Sequence, residues 1–329
     1  EEEEADKEAS GEKESPPSRE ATEGEKGAAK VPASPSVRRF AREIGVEITA
    51  VEGTGPGNRV LIEDVKAYAK SRLSGEEGAG MGAMGLELPD FSKWGEVERK
   101  PLSKVRQITA ENTWRSWQAN PHVTQFDKAD ITAIEAFREK HGRKVEKAGG
   151  KLTVTAILLK IAAFALGQFP RFNSSLDMKN REIIEKKYIH IGVAVDTDRG
   201  LLVPVVRDVD RKSLTSLAIE LGELAEKARN KKIKPEEMEG GNFVISNLGG
   251  IGGTNFTPVI FPPQAAIMGV GRADTEPVYQ DGEFIPRMIM PLNLSYDHKL
   301  IDGADGARFL RWVCEALEHP MSIFLQDKI

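Results

Sequence analysis

Residues Leu292 to Leu310 read LNLSYDHKLIDGADGARFL, and the hydrophobic period changes inside that stretch. Leu292, Leu294 and Tyr296 alternate with Asn293 and Ser295 as in a strand, and from Gly303 to Trp312 the apolar positions take helical spacing. A strand that hands over to a helix is therefore predicted, with His298 and Asp302 in the loop between them. Such loops, held by rigid elements on both sides, are where functional side chains collect. A plainer explanation also exists: Asp302 caps the following helix and His298 is an ordinary loop residue.

Outward from that stretch, helices and strands mix without strict alternation. Helices are predicted around Ser103 to Trp117, from about Thr132 to Glu146, over Thr153 to Leu166 and over Leu214 to Ala228. Strands are predicted near His122 to Phe126, Ile183 to Val195, Leu201 to Val206, Asn242 to Ser246, Ala265 to Val270 and Phe284 to Ser295. This order points to an α+β, or mixed α/β, domain in which helices cover a mixed sheet. No G-x-G-x-x-G opens a helix after a strand, which argues against a doubly wound dinucleotide fold. Gly240 to Pro258, GGNFVISNLGGIGGTNFTP, is apolar up to Ile245 and then rich in Ser, Asn, Gly and Thr. It reads as a buried strand ending in a loop whose backbone approaches something closely, or as a plain glycine turn.

The chain has 329 residues, 40% hydrophobic and 29% charged, enough for one large domain plus small ones. No run of eighteen apolar residues occurs, so no ordinary membrane helix is predicted. The N-terminus has neither a signal-peptide core nor a basic amphipathic transit pattern, and Glu1 predicts a fragment or processed product. Cys314 is the single cysteine, which excludes an intrachain disulfide framework and fits a reducing compartment. Glu1 to Lys30 lacks every large apolar residue and carries eleven acidic against five basic side chains. Such a segment cannot bury a core. Its net −6, set against −5 for the whole chain, leaves the remainder at about +1. Neither nucleic acid nor a membrane is an expected partner.

SYDHKLIDGADGARFL closely resembles the S-[YF]-D-H-R-x-x-D-G-A-D-G-A-R-F motif of the dihydrolipoamide acyltransferases of the 2-oxoacid dehydrogenase complexes, with Lys299 where arginine is usual. The resemblance implies that His298 is the general base for the thiol of coenzyme A. FVISNLGGIGG is similar to that family's F-[TV]-I-S-[SN]-L-G-G-x-G, which implies that Ser246 donates a hydrogen bond to the oxyanion. Asp302 is implied to fix the active-site loop, with Arg115 a candidate ion-pair partner. Arg138, in EAFREK, matches a position that contacts the phosphates of coenzyme A. His122, His141, His190 and His319 read as structural. Asp127-Lys128-Ala129 spells the D-K-A of a lipoylated lysine but leads straight into a helical pattern, so Lys128 reads as unlipoylated. The lipoyl group is expected on a domain outside the 329 residues.

A small module precedes the large domain. In ASPSVRRFAREIGVEITAVEGTGPGNRVLIEDVKAYAKSRL, Val37, Phe40, Ala41 and Ile44 share a helical face, Ser34-Pro35 starts the helix and Gly45 stops it. A glycine loop and a second helix from about Glu63 follow. G-T-G-P-G has no preceding strand and no G-K-[ST] after it, so a turn is the better reading than a phosphate cradle. The segment resembles the peripheral subunit-binding domain of the same acyltransferases, and by motif position Arg38, Arg39, Arg42 and Arg59 are implied to clamp dehydrogenase partners. The expected division is residues 1–33 as an acidic disordered linker, 34–73 as this module, 74–98 as a Gly-rich linker and 99–329 as the catalytic domain.

The resemblance implies a chloramphenicol acetyltransferase-like fold, a homotrimer with its active site between subunits, and assembly through the apolar tail SIFLQDKI into a cubic core of twenty-four subunits or a dodecahedral one of sixty. Dihydrolipoamide dehydrogenase and the 2-oxoacid decarboxylase are the implied partners. The expected reaction moves an acyl group from S-acyl-dihydrolipoamide to coenzyme A. NPHVTQFDKADITAIEAFR and KKYIHIGVAVDTDRGLLVPVVRDVDRK read most like acetyl-transferring members of pyruvate complexes, against succinyl or branched-chain ones. A non-catalytic scaffold would lack His298, and a free-standing small-molecule acetyltransferase has no use for the small module. The expected location is the cytoplasm of a bacterium or the mitochondrial matrix of a eukaryote.

Overall fold

The computed structural model describes residues 31–74, 88–198 and 200–321. The acidic segment, most of the Gly-rich linker and the SIFLQDKI tail lie outside the described residues. The chain divides into two compact units, Glu1–Ala83 and Met84–Ile329.

The first unit has helices α1 (Pro35–Glu43) and α2 (Ile62–Ser74). Ser34 caps α1 by accepting from Val37 N, and Gly45 takes φ +71, the left-handed turn that glycine adopts most readily. Five buried side chains, Val37, Ala41, Val51, Val60 and Val65, form its core, which is small enough to need help. Asp64 supplies it by accepting from Leu61 N at 2.9 Å, Thr54 N at 3.0 Å and Thr54 Oγ1 at 2.7 Å. The glycine loop is thus a turn closed within its own chain, Thr54 N going to the Asp64 carboxylate and Gly55 N to Arg59 O. A Cβ at Gly53 would lie 2.5 Å from Asn58 O, so the turn closes only around glycine.

The second unit runs α3 (Lys104–Ala119), β1 (His122–Asp130), α4 (Thr132–Lys147), α5 (Val154–Gln168), β2 (Ser174–Asp177), β3 (Glu182–Glu185), β4 (Ile191–Val193) and β5 (Val205–Val206). It continues with α6 (Leu214–Arg229), β6 (Phe243–Asn247), β7 (Ala266–Val270), β8 (Asp274–Gln280), β9 (Glu283–Asp297) and α7 (Gly303–Glu318). Seven strands make one mixed sheet in the order β1-β9-β7-β6-β4-β5, with β8 paired to β9. β4, β6 and β7 are parallel, and β5, β9 and β1 run against their neighbours. The apolar run of α5 buries nine side chains, among them Leu158, Leu159 and Leu166, against the sheet face that carries Phe243, Ile245, Met268, Leu292, Leu294 and Tyr296. Each such side chain contributes about 1.5–3 kcal/mol by leaving water.

The single strand expected over Ile183 to Val195 is instead two, β3 and β4. Between them Asn173 Nδ2 binds Lys186 O and Tyr188 O, and Asn242 Nδ2 also binds Tyr188 O. Side-chain amides there take carbonyls that a neighbouring strand would otherwise hold. Leu201 to Val206 is likewise reduced to Val205–Val206 plus one bridge, Val195 to Leu202, because Pro204 offers no N–H to a ladder. The β8–β9 hairpin was not anticipated. Its turn is Asp281-Gly282, both at positive φ, a sequence signal for a tight hairpin.

Candidate active site

β9 leaves the core at Asp297, and the turn that follows is clamped from two sides. Asp297 Oδ1 accepts from Lys299 N at 3.0 Å, and its Oδ2 lies 3.3 Å from Lys299 Nζ. Lys299 Nζ also donates to Ala119 O, at the end of α3, and His298 N donates to Pro121 O at 3.0 Å. Leu300 N and Ile301 N both return to Asp297 O. Lysine in place of arginine thus still anchors the turn, as a point charge between a carboxylate and a helix end. The His298 side chain projects from this turn and is exposed, with its ring centroid 6.2 Å from that of fully buried Tyr296. Gly306 lets α7 sit on Tyr296: a Cβ there would lie 2.5 Å from Tyr296 Cε1.

Asp302 caps α7, its Oδ1 accepting from Asp305 N at 2.9 Å. That N–H, more than the nearby Arg308 and Arg171 charges, holds the carboxyl below the usual carboxylate range. Arg115 is not its partner: it lies 4.0 Å from Glu111, one turn back on α3. Arg171 and Arg308 each bind Asp305 at 3.1 Å, which puts two guanidinium groups at the start of α7.

Ser246 lies near the end of β6 on the sheet face of Val244, and Ile260 and Ile267 pack there rather than in the main core. Next to it, Asn247 Nδ2 donates to Thr155 Oγ1 at 2.9 Å and Asn247 Oδ1 accepts from Gly249 N at 2.8 Å. Asn247 stands between two cavities. One, of about 590 Å³, is lined by Lys151, Thr153, Thr155, Asp196 and Arg229; the other, of about 310 Å³, by Glu135, Gly271 and Arg272. Arg138 is ion-paired to Glu135 at 2.6 Å, one turn behind the smaller cavity. Sequence reading missed Lys151, Asp196, Arg229 and Arg272, which come from four separate segments with no spacing to link them.

The structure does not bring Ser246 and His298 together within one chain. Ser246 is in register with Gly269 of β7, and Gly269 with Asn293 of β9. His298 lies five residues beyond Asn293, or about 17 Å along the strand, and two strand steps add about 9.6 Å across the sheet. The two side chains therefore sit near opposite ends of the sheet, about 20 Å apart.

His122, His190 and His141 have structural partners. His122 Nδ1 donates to Asn120 O at 2.7 Å, its Nε2 accepts from Ile260 N at 3.0 Å, and the ring stacks on Trp117. His190 Nδ1 accepts from Asp208 N, and His141 lies against the Phe137 ring. Lys128 is part of β1 and pairs with Glu276 at 2.8 Å. Burial pushes the Cys314 thiol up, away from any nucleophilic role. In the small unit, Arg38 Nη2 donates to Val31 O and Arg39 pairs with Glu43, whereas the side chains of Arg42 and Arg59, both exposed, make no hydrogen bond or ion pair among the described residues. No helix of the described residues is long and apolar enough to cross a membrane.

The family profile of the 2-oxoacid dehydrogenases acyltransferase (catalytic domain) matches residues 95–325, and that of the e3 binding domain matches residues 31–66. The dihydrolipoyllysine-residue acetyltransferase component of the pyruvate dehydrogenase complex of Pseudomonas aeruginosa is 50% identical over 303 residues, covering 90% of this chain and 55% of that protein. Its counterpart in Azotobacter vinelandii is 50% identical over 304 residues, covering 90% of this chain and 48% of that protein. The chain thus spans about half the length of these curated relatives. A solved structure of the Azotobacter vinelandii dihydrolipoamide acetyltransferase, made to investigate a serine, a histidine and an asparagine in its catalytic mechanism, superposes with a TM-score of 0.71 at 51% identity, covering 73% of this chain and 99% of that one. The cubic core of a pyruvate dehydrogenase multienzyme complex superposes with a TM-score of 0.71 at 50% identity, over the same shares of the two chains.

Proposed function

Because this chain belongs to the 2-oxoacid dehydrogenase acyltransferase family, we propose that it transfers an acetyl group from S-acetyl-dihydrolipoamide to coenzyme A within a pyruvate dehydrogenase complex. One observation carries the site assignment. In the Azotobacter vinelandii enzyme the investigated serine and histidine are fifty-two positions apart, and the histidine and asparagine four, as are Ser246, His298 and Asp302. Asp302 stands where that relative has an amide, and both groups can accept the N–H that caps α7.

The chemistry follows from thioester exchange. A thiol with an ordinary pKa of about 8.5 is mostly protonated at neutral pH, so attack needs a base such as imidazole. His298 takes the thiol proton of coenzyme A, and the thiolate adds to the acetyl thioester carbonyl. The Ser246 hydroxyl donates to the oxyanion, a contact worth about 3–4 kcal/mol in comparable sites. Collapse expels the dihydrolipoamide thiolate, which recovers the proton from the imidazolium. With the two residues about 20 Å apart in one chain, Ser246 of one subunit works with His298 of its neighbour in a homotrimer.

We assign coenzyme A to the cavities flanking Asn247, where Lys151, Arg229 and Arg272 offer charge to its phosphates and Arg138 stands behind them. The four-part division 1–33, 34–73, 74–98 and 99–329 belongs to the same proposal, supported by family matches at 31–66 and 95–325. So do a cubic core, a lipoyl group on another domain, and a bacterial cytoplasmic location, which the bacterial relatives support. His298→Ala should lower kcat at least about a hundredfold with the Kd for coenzyme A little changed. A variant keeping a tenth of the rate would sink the assignment. Rates with acetyl-, succinyl- and isobutyryl-dihydrolipoamide test the acyl choice: a preference for either of the last two overturns acetyl.

A further inference from the structure

Asn293 stands in β9 fully buried, and neither its Nδ2 nor its Oδ1 has a hydrogen-bond partner. A buried amide in that state has given up its hydration without return, so a partner is missing. Its place is specific. Asn293 is in register with Gly269, and Gly269 with Ser246, so the amide and the serine hydroxyl leave the same face on either side of a residue without a side chain. A Cβ at Gly269 would lie 2.6 Å from Phe256 Cζ and 3.0 Å from Asn293 Nδ2, so the glycine makes a slot that the Phe256 ring fills. Among the described residues nothing else on this face completes the amide. Thr124 Oγ1 and Ser295 Oγ bind each other at 2.8 Å, both nitrogens of His122 are engaged, and the cross-strand neighbour on β1 is Phe126. The backbone before Phe256 is held, with Gly253 O accepting from Arg272 N at 2.9 Å, so the slot opens by rotation of the half-buried Phe256 side chain itself.

We propose that Asn293 is a substrate-binding residue that hydrogen-bonds a secondary amide of a thiol-bearing arm when the Phe256 ring moves off Gly269. The inference rests on the acyltransferase reading above and names a contact that reading does not contain. A trans secondary amide offers its N–H and its C=O on opposite edges, so one such group meets one of the two unpaired atoms of Asn293 and two groups can meet both. A dihydrolipoyl group on its lysine carries one such group, and the pantetheine arm of coenzyme A carries two. Two strand steps, about 9.6 Å, separate Asn293 from Ser246, a distance that either arm can span from its reacting sulfur.

The test uses the full chain with Asn293→Leu, which removes both polar atoms at similar volume, and Asn293→Ala as a second variant. Binding of coenzyme A and of dihydrolipoyl-lysine, the form of dihydrolipoamide that carries the secondary amide, is measured separately by calorimetry, beside thermal unfolding. One ligand should bind about tenfold more weakly in both variants while the other is unchanged, and Asn293→Leu should not lower Tm. A loss confined to dihydrolipoamide assigns the lipoyl amide; a loss confined to coenzyme A assigns the pantetheine arm. Unchanged Kd values for both ligands overturn the proposal. Because binding is read without turnover, that failure is distinct from failure of the acyltransferase reading, which would appear as a parent chain that transfers no acetyl group.

Discussion

Asp302 holds the start of α7, four residues beyond His298. Its carboxylate caps α7 through the Asp305 N–H, and α7 together with Lys299 fixes the turn that presents His298. Asparagine can make the same cap, so Asp302→Asn should keep most of the activity and the melting temperature. Asp302→Ala leaves the first turn of α7 without its acceptor and should cost about 0.5–2 kcal/mol. Unfolding midpoints and kcat of the two variants decide this: equal behaviour would mean that the cap is not what the position supplies.

At the scale of elements, the small unit depends on a carboxylate as much as on its core. The Leu61 N–H, then the N–H and hydroxyl of Thr54, hold the Asp64 carboxyl below its usual range. A folded-state pKa below the unfolded value of about 3.9 means stability fully present above that value and lost as pH falls through the folded pKa. Asp64→Asn should therefore lower the midpoint of this unit at pH 7 and flatten its acid dependence below pH about 4. An unaltered acid profile would show that other groups govern it. In the larger unit the register of β6, β7 and β9 plays the organising part, since it sets Ser246, Gly269 and Asn293 in one row and sends His298 to the far end.

For the whole molecule, the distance between Ser246 and His298 becomes a statement about assembly. If the site forms between subunits, chains with His298→Ala and chains with Ser246→Ala complement each other. Co-expressed in equal amounts and mixed at random in a cyclic trimer, they should recover about a quarter of the parent activity, because one interface in four pairs an intact serine with an intact histidine. Activity no higher than that of either variant alone would place the site within one chain. The small unit should bind a dehydrogenase partner with salt-sensitive affinity, chiefly through Arg42 and Arg59, since Arg38 and Arg39 already have partners in their own chain. Calorimetry at two salt concentrations checks this, and salt-independent binding would contradict it.

Periodicity and end signals are local, and what depends on them was legible in the sequence: the capped α1, the apolar α5, the strand-to-helix hand-over around His298, and the mixing of helices and strands that excludes a doubly wound sheet. The split of the strand expected from Ile183 to Val195 was not legible, because Asn173 and Asn242 take its carbonyls from distant points in the chain. For the same reason Arg115 looked like a partner for Asp302, until the fold put Arg171 and Arg308 at the start of α7. His298 and Ser246 could be named from their surrounding residues, but their separation could not. Pairing across strands relates residues by register, and register is fixed by which side chains the two faces bury, not by distance along the chain. The sequence by itself therefore determined the elements and the chemical groups; only the tertiary structure decided that His298 and Ser246 belong to different ends of one sheet, and that Asn293 lies unpaired in the row of Ser246.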